Sequence, residues 1–312
     1  MSESALRIGT RRSKLARAQT QLVADALARV SDRPVEFVDV TTEGDTSRAS
    51  LTQLGGAGVF VGALRERLLA GDVDLAVHSL KDLPTARPSG LAIAAMPERD
   101  DPRDALVGSA TLVELPAGAR VGTGSPRRAA QLRAARPDLD VVDIRGNIDS
   151  RIARVTGGPG AASADRLDAV VLAYAGLRRL GRAELVREVF PPATVLPAPG
   201  QGALAVECRA ADADAFALAA AVDHADTRAA ASAERALLAA LEAGCAAPVG
   251  ALARVAATGH LELDGAVFAV DGKASIGRSA NGPPGEPERL GRVLAEELLA
   301  CGAEALMGEQ VS

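Results

Sequence analysis

The chain has 312 residues, 48% of them hydrophobic, and its 40 acidic against 35 basic side chains leave a formal charge of −5. That length suffices for two or three domains with buried cores. Mixed-sign charge without a basic arm, together with one Tyr, five Phe and no Trp, argues against a nucleic-acid surface made of phosphate contacts and stacked bases.

In chain order, "ALRIG" reads as a strand, and the spacing of Leu15, Leu22, Ala26 and Val30 predicts an amphipathic helix from Ser13 to about Val30. "VEFVDV" is a second strand. A Gly- and Thr-rich loop then leads to the helical "VFVGALRERLLAG" and to "VDLAVHSL", an almost continuously apolar strand of the buried parallel type. The alternation continues through "ARVGT", "SPRRAAQLRAAR", "LDVVDI", "NIDSRIARV" and "LDAVVLA". This rhythm predicts an α/β protein with two doubly wound, mostly parallel lobes.

Two proline-bearing stretches, "MPERDDP" and "FPPATVLPAPGQG", read as crossings between the lobes, and "GALAVEC" is expected to return to the first sheet. From about Asp212 an alanine-rich helical segment, three short strands and a final helix from about Glu286 predict a small α+β C-terminal domain. The expected division is residues 1–97 with 198–212, then 98–197, then 213–312. A cleft between the lobes is the natural ligand site.

Arginines cluster just after predicted strands: Arg11 and Arg12, Arg127 and Arg128, Arg145 and Arg151. Carboxyl ends of strands in an open α/β sheet face the crevice, so these side chains are expected to converge there on a polyanion, with glycines in "IGTR", "GTGS" and "RGN" opening the backbone to it. The plainer reading of any one pair is a solvated helix start.

"VHSLKDLP" ends a buried strand with His78, Ser79, Lys81 and Asp82 in quick succession. Asp82 fits either a turn or a chemical role, and His78 reads as a structural histidine. The three cysteines, Cys208, Cys245 and Cys301, are too widely spaced for a disulfide framework or a C-x-x-C metal site, and no metal is expected. Cys208 and Cys301 read as structural. Cys245, among small residues in "EAGCAAPVG", is either a small buried hydrophobe or a thiol with room for an attached group. No apolar run reaches membrane-spanning length without charge, and no apolar stretch precedes a cleavage site near the start, so a cytoplasmic protein without membrane association is expected.

Nine stretches in order resemble the porphobilinogen deaminase (hydroxymethylbilane synthase) family: "IGTRRSKLARAQ", "TTEGD", "GGAGVF", "DLAVHSLKDLP", "GTGSPRRAAQL", "DIRGNIDSR", "LAYAGLRRLG", "APGQGALAVECR" and "GCAAPVG". The resemblance implies an enzyme that condenses four porphobilinogen molecules head to tail into hydroxymethylbilane, releasing ammonia, in tetrapyrrole and haem biosynthesis. It implies two lobes like those of periplasmic binding proteins and a dipyrromethane cofactor joined by a thioether to Cys245. Asp82 is then the catalytic carboxylate. Arg11, Ser13, Gln19, Ser79, Lys81, Arg127, Arg128, Arg145 and Arg151 bind the acetate and propionate groups of cofactor and growing oligopyrrole.

A monomer that hands its product to the next pathway enzyme is also implied. Ala57 stands where the family usually has lysine, Pro126 where leucine is common and Ala243 where glycine is usual. A non-catalytic solute-binding protein of related fold and an inactive paralogue are the competing readings, and a nucleic-acid-binding regulator the weakest.

Overall fold

The computed structural model describes residues 5–41, 61–86, 88–157, 166–243 and 247–307. Cys245, Ala57 and most of "TTEGD" lie outside the described residues.

The first lobe contains β1 (Leu6–Arg11), α1 (Lys14–Leu27), β2 (Val35–Val40), α2 (Gly62–Ala70), β3 (Leu75–Ser79) and β4 (Leu91–Ala95). The chain then crosses to a second lobe made of β5 (Asp104–Gly108), β6 (Arg120–Gly122), α3 (Pro126–Ala135), β7 (Asp140–Val142), α4 (Ile148–Thr156), β8 (Ala169–Ala173), α5 (Tyr174–Arg179) and β9 (Val186–Val189). It crosses back into β10 (Leu204–Arg209), which returns to the first sheet as expected of "GALAVEC" and lies there between β3 and β4. The strands β4, β5 and β9 escaped the sequence reading because each is short and lies next to a turn or crossing.

The sheet orders are β2-β1-β3-β10-β4 and β7-β6-β8-β5-β9. Both sheets are mostly parallel, as expected, with one strand reversed in each: β10 runs antiparallel to β3 and β4, and β5 antiparallel to β8 and β9. The reason is geometric. β3 finishes at the crevice, and β10 starts there, with Leu204 opposite Ser79; β5 likewise starts with Asp104 opposite Ala173, the last residue of β8. A strand entering from a crossing at the crevice must run away from it.

α1 is shorter than predicted and presents a different face. Ala16, Val23, Ala24 and Leu27 are buried with Gln19 and Thr20, whereas Leu22 and Val30 are exposed. The buried face is turned by about one residue from the predicted stripe of Leu15, Leu22, Ala26 and Val30, and it admits the polar Gln19 and Thr20. Leu6, Ile8, Val23, Leu27, Leu75 and Val206 centre the core of this lobe.

Beyond β10 follow α6 (Ala213–Ala220) and α7 (Ala225–Ala240), then an antiparallel meander of β11 (Val249–Val255), β12 (Leu261–Phe268) and β13 (Ser275–Gly282), then α8 (Pro287–Ala300) and α9 (Glu304–Met307). α7 and α8 cover the meander through a core that includes Leu237, Leu263, Leu294 and Leu298. The turn between β12 and β13 docks on α3 of the second lobe, where Arg133 Nη1 donates to the Val270 carbonyl at 2.8 Å. Gly272 has φ +78° there, and a Cβ would fall 2.6 Å from the Ala130 carbonyl oxygen. Among the described residues no helix is long and apolar enough to cross a membrane.

Candidate active site

β1 and β3 end side by side, and their ends meet the start of α1 around a small pocket. Arg11, Ser13, Gln19, Ser79, Asp82 and His78 line it, together with apolar side chains of α1 and Val61. Five of these are sequence-predicted site residues, brought together because parallel strands deliver their last residues to one edge. Gln19 Nε2 donates to Ser79 Oγ at 2.8 Å, tying α1 to the end of β3. Ser13 caps α1, its Oγ accepting from the Ala16 amide at 3.2 Å. Arg12 is exposed and lies outside the pocket.

Asp82 closes a short 3-10 turn, Leu80–Asp82, directly after β3. The side chains of Leu80 and Leu83, on either side of it, are buried against Val61, Met96, Ala203 and Ala205. Two buried leucines, each worth about 2 kcal/mol of burial, therefore anchor a carboxylate that itself stays partly accessible. Behind the strand, the buried Glu207 accepts from Arg65 Nη2 at 2.8 Å and lies 3.3 Å from His78 Nε2. Burial alone would raise the Glu207 carboxyl, but His78 and Arg65 hold it below its ordinary value. His78 is buried beside this carboxylate, although its Nε2 makes no hydrogen bond of ordinary geometry among the described residues.

The second lobe places Arg127 and Arg128 differently from the simple picture of arginines open to a ligand. Both are buried, and both pair with Asp104 at the start of β5: Arg127 Nη2 to Oδ2 at 2.8 Å and Arg128 Nη2 to Oδ1 at 2.7 Å. Arg127 Nη1 also donates to the Leu196 carbonyl at 2.5 Å. Burial opposes ionisation of Asp104, yet the two guanidiniums override it and hold the carboxyl far below the usual carboxylate range. Two buried cations share one anion, so a positive charge remains in excess. Arg127 Nε, also buried, has no hydrogen-bond acceptor among the described residues.

Gln201, fully buried in the second crossing, joins the lobes at this point. Its Nε2 donates to Asp104 Oδ1 at 2.8 Å, and its Oε1 accepts from Lys81 Nζ at 3.2 Å and from Arg128 Nη2 at 3.3 Å. Burial and the nearby Arg128 push the Lys81 ammonium down to about 8. Arg151 donates through Nε to the Gly146 carbonyl at 2.8 Å, and burial with Arg128 and Arg145 lowers it to about 10. Arg145 lies 3.6 Å from Asp143. Arg128 thus opposes the charge of both Lys81 and Arg151, and Arg145 adds to the repulsion on Arg151. At its mouth, Lys14 of α1 reaches Asp149 of α4 at 3.2 Å.

Glycines of the strand-end loops stand where the fold is tight. A Cβ on Gly9 would lie 3.0 Å from Leu64 Cδ2, and one on Gly124 would lie 2.6 Å from the Ile144 carbonyl oxygen. Pro126, at the first turn of α3 after the capping Ser125, suits a position whose N–H has no intrahelical acceptor. Cys208 is buried in β10, where burial pushes its thiol up to about 11, and Cys301 is exposed at the end of α8.

Sequence reasoning missed Asp104, Gln201, Arg99 and Glu234. Arg99 and Asp104 fall in or beside the first crossing, Gln201 between two glycines of the second, and a polar residue at a crossing is the only signal they carry. A larger groove of about 990 Å³ is lined by Pro84 and Ile93 of the first lobe, Phe216 of α6 and Arg235 of α7 among others, and includes no predicted site residue.

Residues 6–217 match the family described as porphobilinogen deaminase, dipyromethane cofactor binding domain, and residues 229–300 match the porphobilinogen deaminase C-terminal domain. The chain is 56% identical to porphobilinogen deaminase 1 of Streptomyces coelicolor, with 99% of each chain covered. It is 53% identical to the porphobilinogen deaminase of Thermobifida fusca, over 99% of this chain and 98% of that one. Among solved structures, the methionine-binding protein MetQ aligns over 69% of this chain and 88% of its own at 12% identity and a TM-score of 0.43, a likeness too remote to bear on function.

Proposed function

The chain belongs to the porphobilinogen deaminase family, and from that premise we propose how its own residues carry the family's reaction. It is a hydroxymethylbilane synthase, condensing four porphobilinogen molecules head to tail into the linear tetrapyrrole with release of four ammonia. Identity above half along the whole chain favours this enzyme over a solute-binding protein. The observation that carries the site assignment is the meeting of Arg11, Ser13, Gln19, Ser79 and Asp82 in one pocket at the strand ends.

The dipyrromethane cofactor fits the residues present. Lys81 and Arg151 are both held below their ordinary values by burial and neighbouring cations, an imbalance that a polycarboxylate would relieve. Cys245 would hold the cofactor as a thioether, and the bound group supplies a free pyrrole α-carbon for attack on the first substrate. Arg11, Ser13, Ser79, Lys81, Arg145 and Arg151 bind acetate and propionate side chains, and Gln19 orients Ser79. Arg127 and Arg128 contribute the excess charge left by Asp104. Arginine forks fix such carboxylates in direction as well as position.

Asp82 accepts the pyrrole N–H donors of substrate through its carboxylate oxygens and stabilises the positive charge that develops as ammonia departs. The same carboxylate takes up the proton released when the new carbon–carbon bond forms, so one group serves as ion stabiliser and base, and in its protonated form as acid. Three separate sheets support a division into three domains, but Ala215 and Ala219 of α6 pack in the core of the first lobe, which favours a third domain beginning after α6 rather than at residue 213. We read the enzyme further as a cytoplasmic monomer that hands hydroxymethylbilane to the next enzyme of its pathway.

The test is the intact mass of the purified protein under denaturing conditions. An excess equal to two linked pyrrole units, absent from Cys245→Ser together with nearly all turnover, is expected. A Cys245→Ser protein with the parent's rate would remove the cofactor assignment, and a parent without turnover after incubation with porphobilinogen would identify an inactive paralogue.

A further inference from the structure

We propose that Arg235, on α7 of the third domain, is a positioning residue for the turn that carries Asp82. Its Nη1 donates to the Leu83 carbonyl at 2.9 Å and to that of Leu80 at 3.4 Å, and its Nη2 donates to the Pro84 carbonyl at 2.7 Å. These three carbonyls bracket Asp82. A guanidinium presents N–H groups in a fixed planar fork, so three acceptors held at once determine the path of the backbone between them.

The contact is built into the face of α7. Ala231, one turn earlier on the helix, is completely buried in the same apolar cluster as Leu80 and Leu83. Residues four apart share a helix face. Ala231 therefore lets the helix approach the two leucines, and Arg235 caps the carbonyls above them. From the first lobe, the turn has the Leu80 amide donating to the Ala203 carbonyl at 3.0 Å and the Leu83 amide donating to Leu80 at 3.1 Å. The carbonyls of Leu83 and Pro84 are held from the third domain.

This has a consequence for catalysis that rests on the function proposed above. α7 ends at Ala240, five residues before Cys245. One rigid helix thus touches the turn of the catalytic carboxylate and leads directly into the attachment loop. Arg235 keeps Asp82 in register with the domain that carries the covalent primer, without itself meeting substrate.

The experiment compares the parent with Arg235→Met, which keeps the length of the stem and removes the fork, and with Arg235→Lys. Two readouts are taken: steady-state kinetics with porphobilinogen, and hydrogen–deuterium exchange of the backbone amides of residues 82–86. The expected result for Arg235→Met is a kcat lowered about tenfold to a hundredfold, the scale of a small misplacement of a reacting group. KM stays within about twofold, the cofactor mass is retained, and exchange in the 82–86 segment is faster. Arg235→Lys recovers part of kcat.

Unchanged exchange in 82–86 overturns the proposal whatever the activity, and so does a Met variant with kcat within twofold of the parent. A loss confined to cofactor attachment also overturns it, by making Arg235 a determinant of assembly. Faster exchange in a protein whose parent shows no turnover would uphold the positioning contact while removing the enzymatic reading, so the two failures are separable.

Discussion

Lys81 shows how one side chain can be read both as a bond and as a reserve of charge. It bridges the lobes through Gln201 while burial and Arg128 hold its ammonium at about 8, well under the ordinary 10.5. The sign follows directly. Between those two values the unfolded chain binds more protons at this residue than the folded one, so the residue's contribution to stability grows as pH rises through that window. Ligand carboxylates act in the opposite direction, because a nearby anion favours the charged ammonium. Binding of porphobilinogen to the Cys245→Ser protein between about pH 8 and 9.5 is therefore expected to take up a fraction of a proton per site. Titration calorimetry in two buffers of different ionisation enthalpy measures it. Zero uptake, or equal uptake in Lys81→Met, would show that no carboxylate meets Lys81.

At the scale of the element, α7 stops by a device its sequence disguises. The Ala243 amide donates to the Leu238 carbonyl at 3.2 Å and the Glu242 amide to that of Ala239 at 3.0 Å, the pair of bonds that closes a helix over a left-handed residue. That residue is Glu242, with φ 49°, the only non-glycine in the left-handed region among the described residues. A side chain there costs about 1 kcal/mol or more relative to glycine, partly offset because glycine gains freedom in the unfolded chain. Glu242→Gly should accordingly stabilise by about 0.5 to 1 kcal/mol and raise the melting temperature by about 1 to 3 °C. A lower melting temperature would mean that the Glu242 side chain contributes more by its contacts than its backbone costs.

Across the whole molecule, three chain segments are joined at Glu234 of α7. This fully buried carboxylate receives Arg99 Nη1 at 2.6 Å and Nη2 at 3.0 Å from the first crossing, and the Gly200 amide at 2.6 Å from the second. The Ala253 amide of β11 reaches it at 2.7 Å. Both crossings are thereby fastened to the third domain, while Gln201 fastens them to the lobes. Removing one charge from such a site strands the other, so Glu234→Gln is expected to lose about 3 kcal/mol or more. A fall in the urea midpoint without a change in slope would report it. A midpoint equal to the parent's would show that Arg99 finds another acceptor or water.

The residues themselves were sufficient for the alternation of strands and helices, the two crossings, the return of "GALAVEC" and the third domain, because hydrophobic period and turn residues are local properties. Nine ordered stretches were also sufficient for the family. The rule about strand ends anticipated Arg11 at the pocket, whereas Ser13, Gln19, Ser79 and Asp82 were assigned to the site only through the family resemblance. Partner choice was not legible. Nothing local in "DPRDA" says that Asp104 will absorb Arg127 and Arg128, or in "AERAL" that Glu234 will hold two crossings and Arg235 three carbonyls of a loop about 150 residues away. Buried charges must be paired wherever they end up. Which groups pair is set by the packing of three domains, and only the tertiary structure decides that.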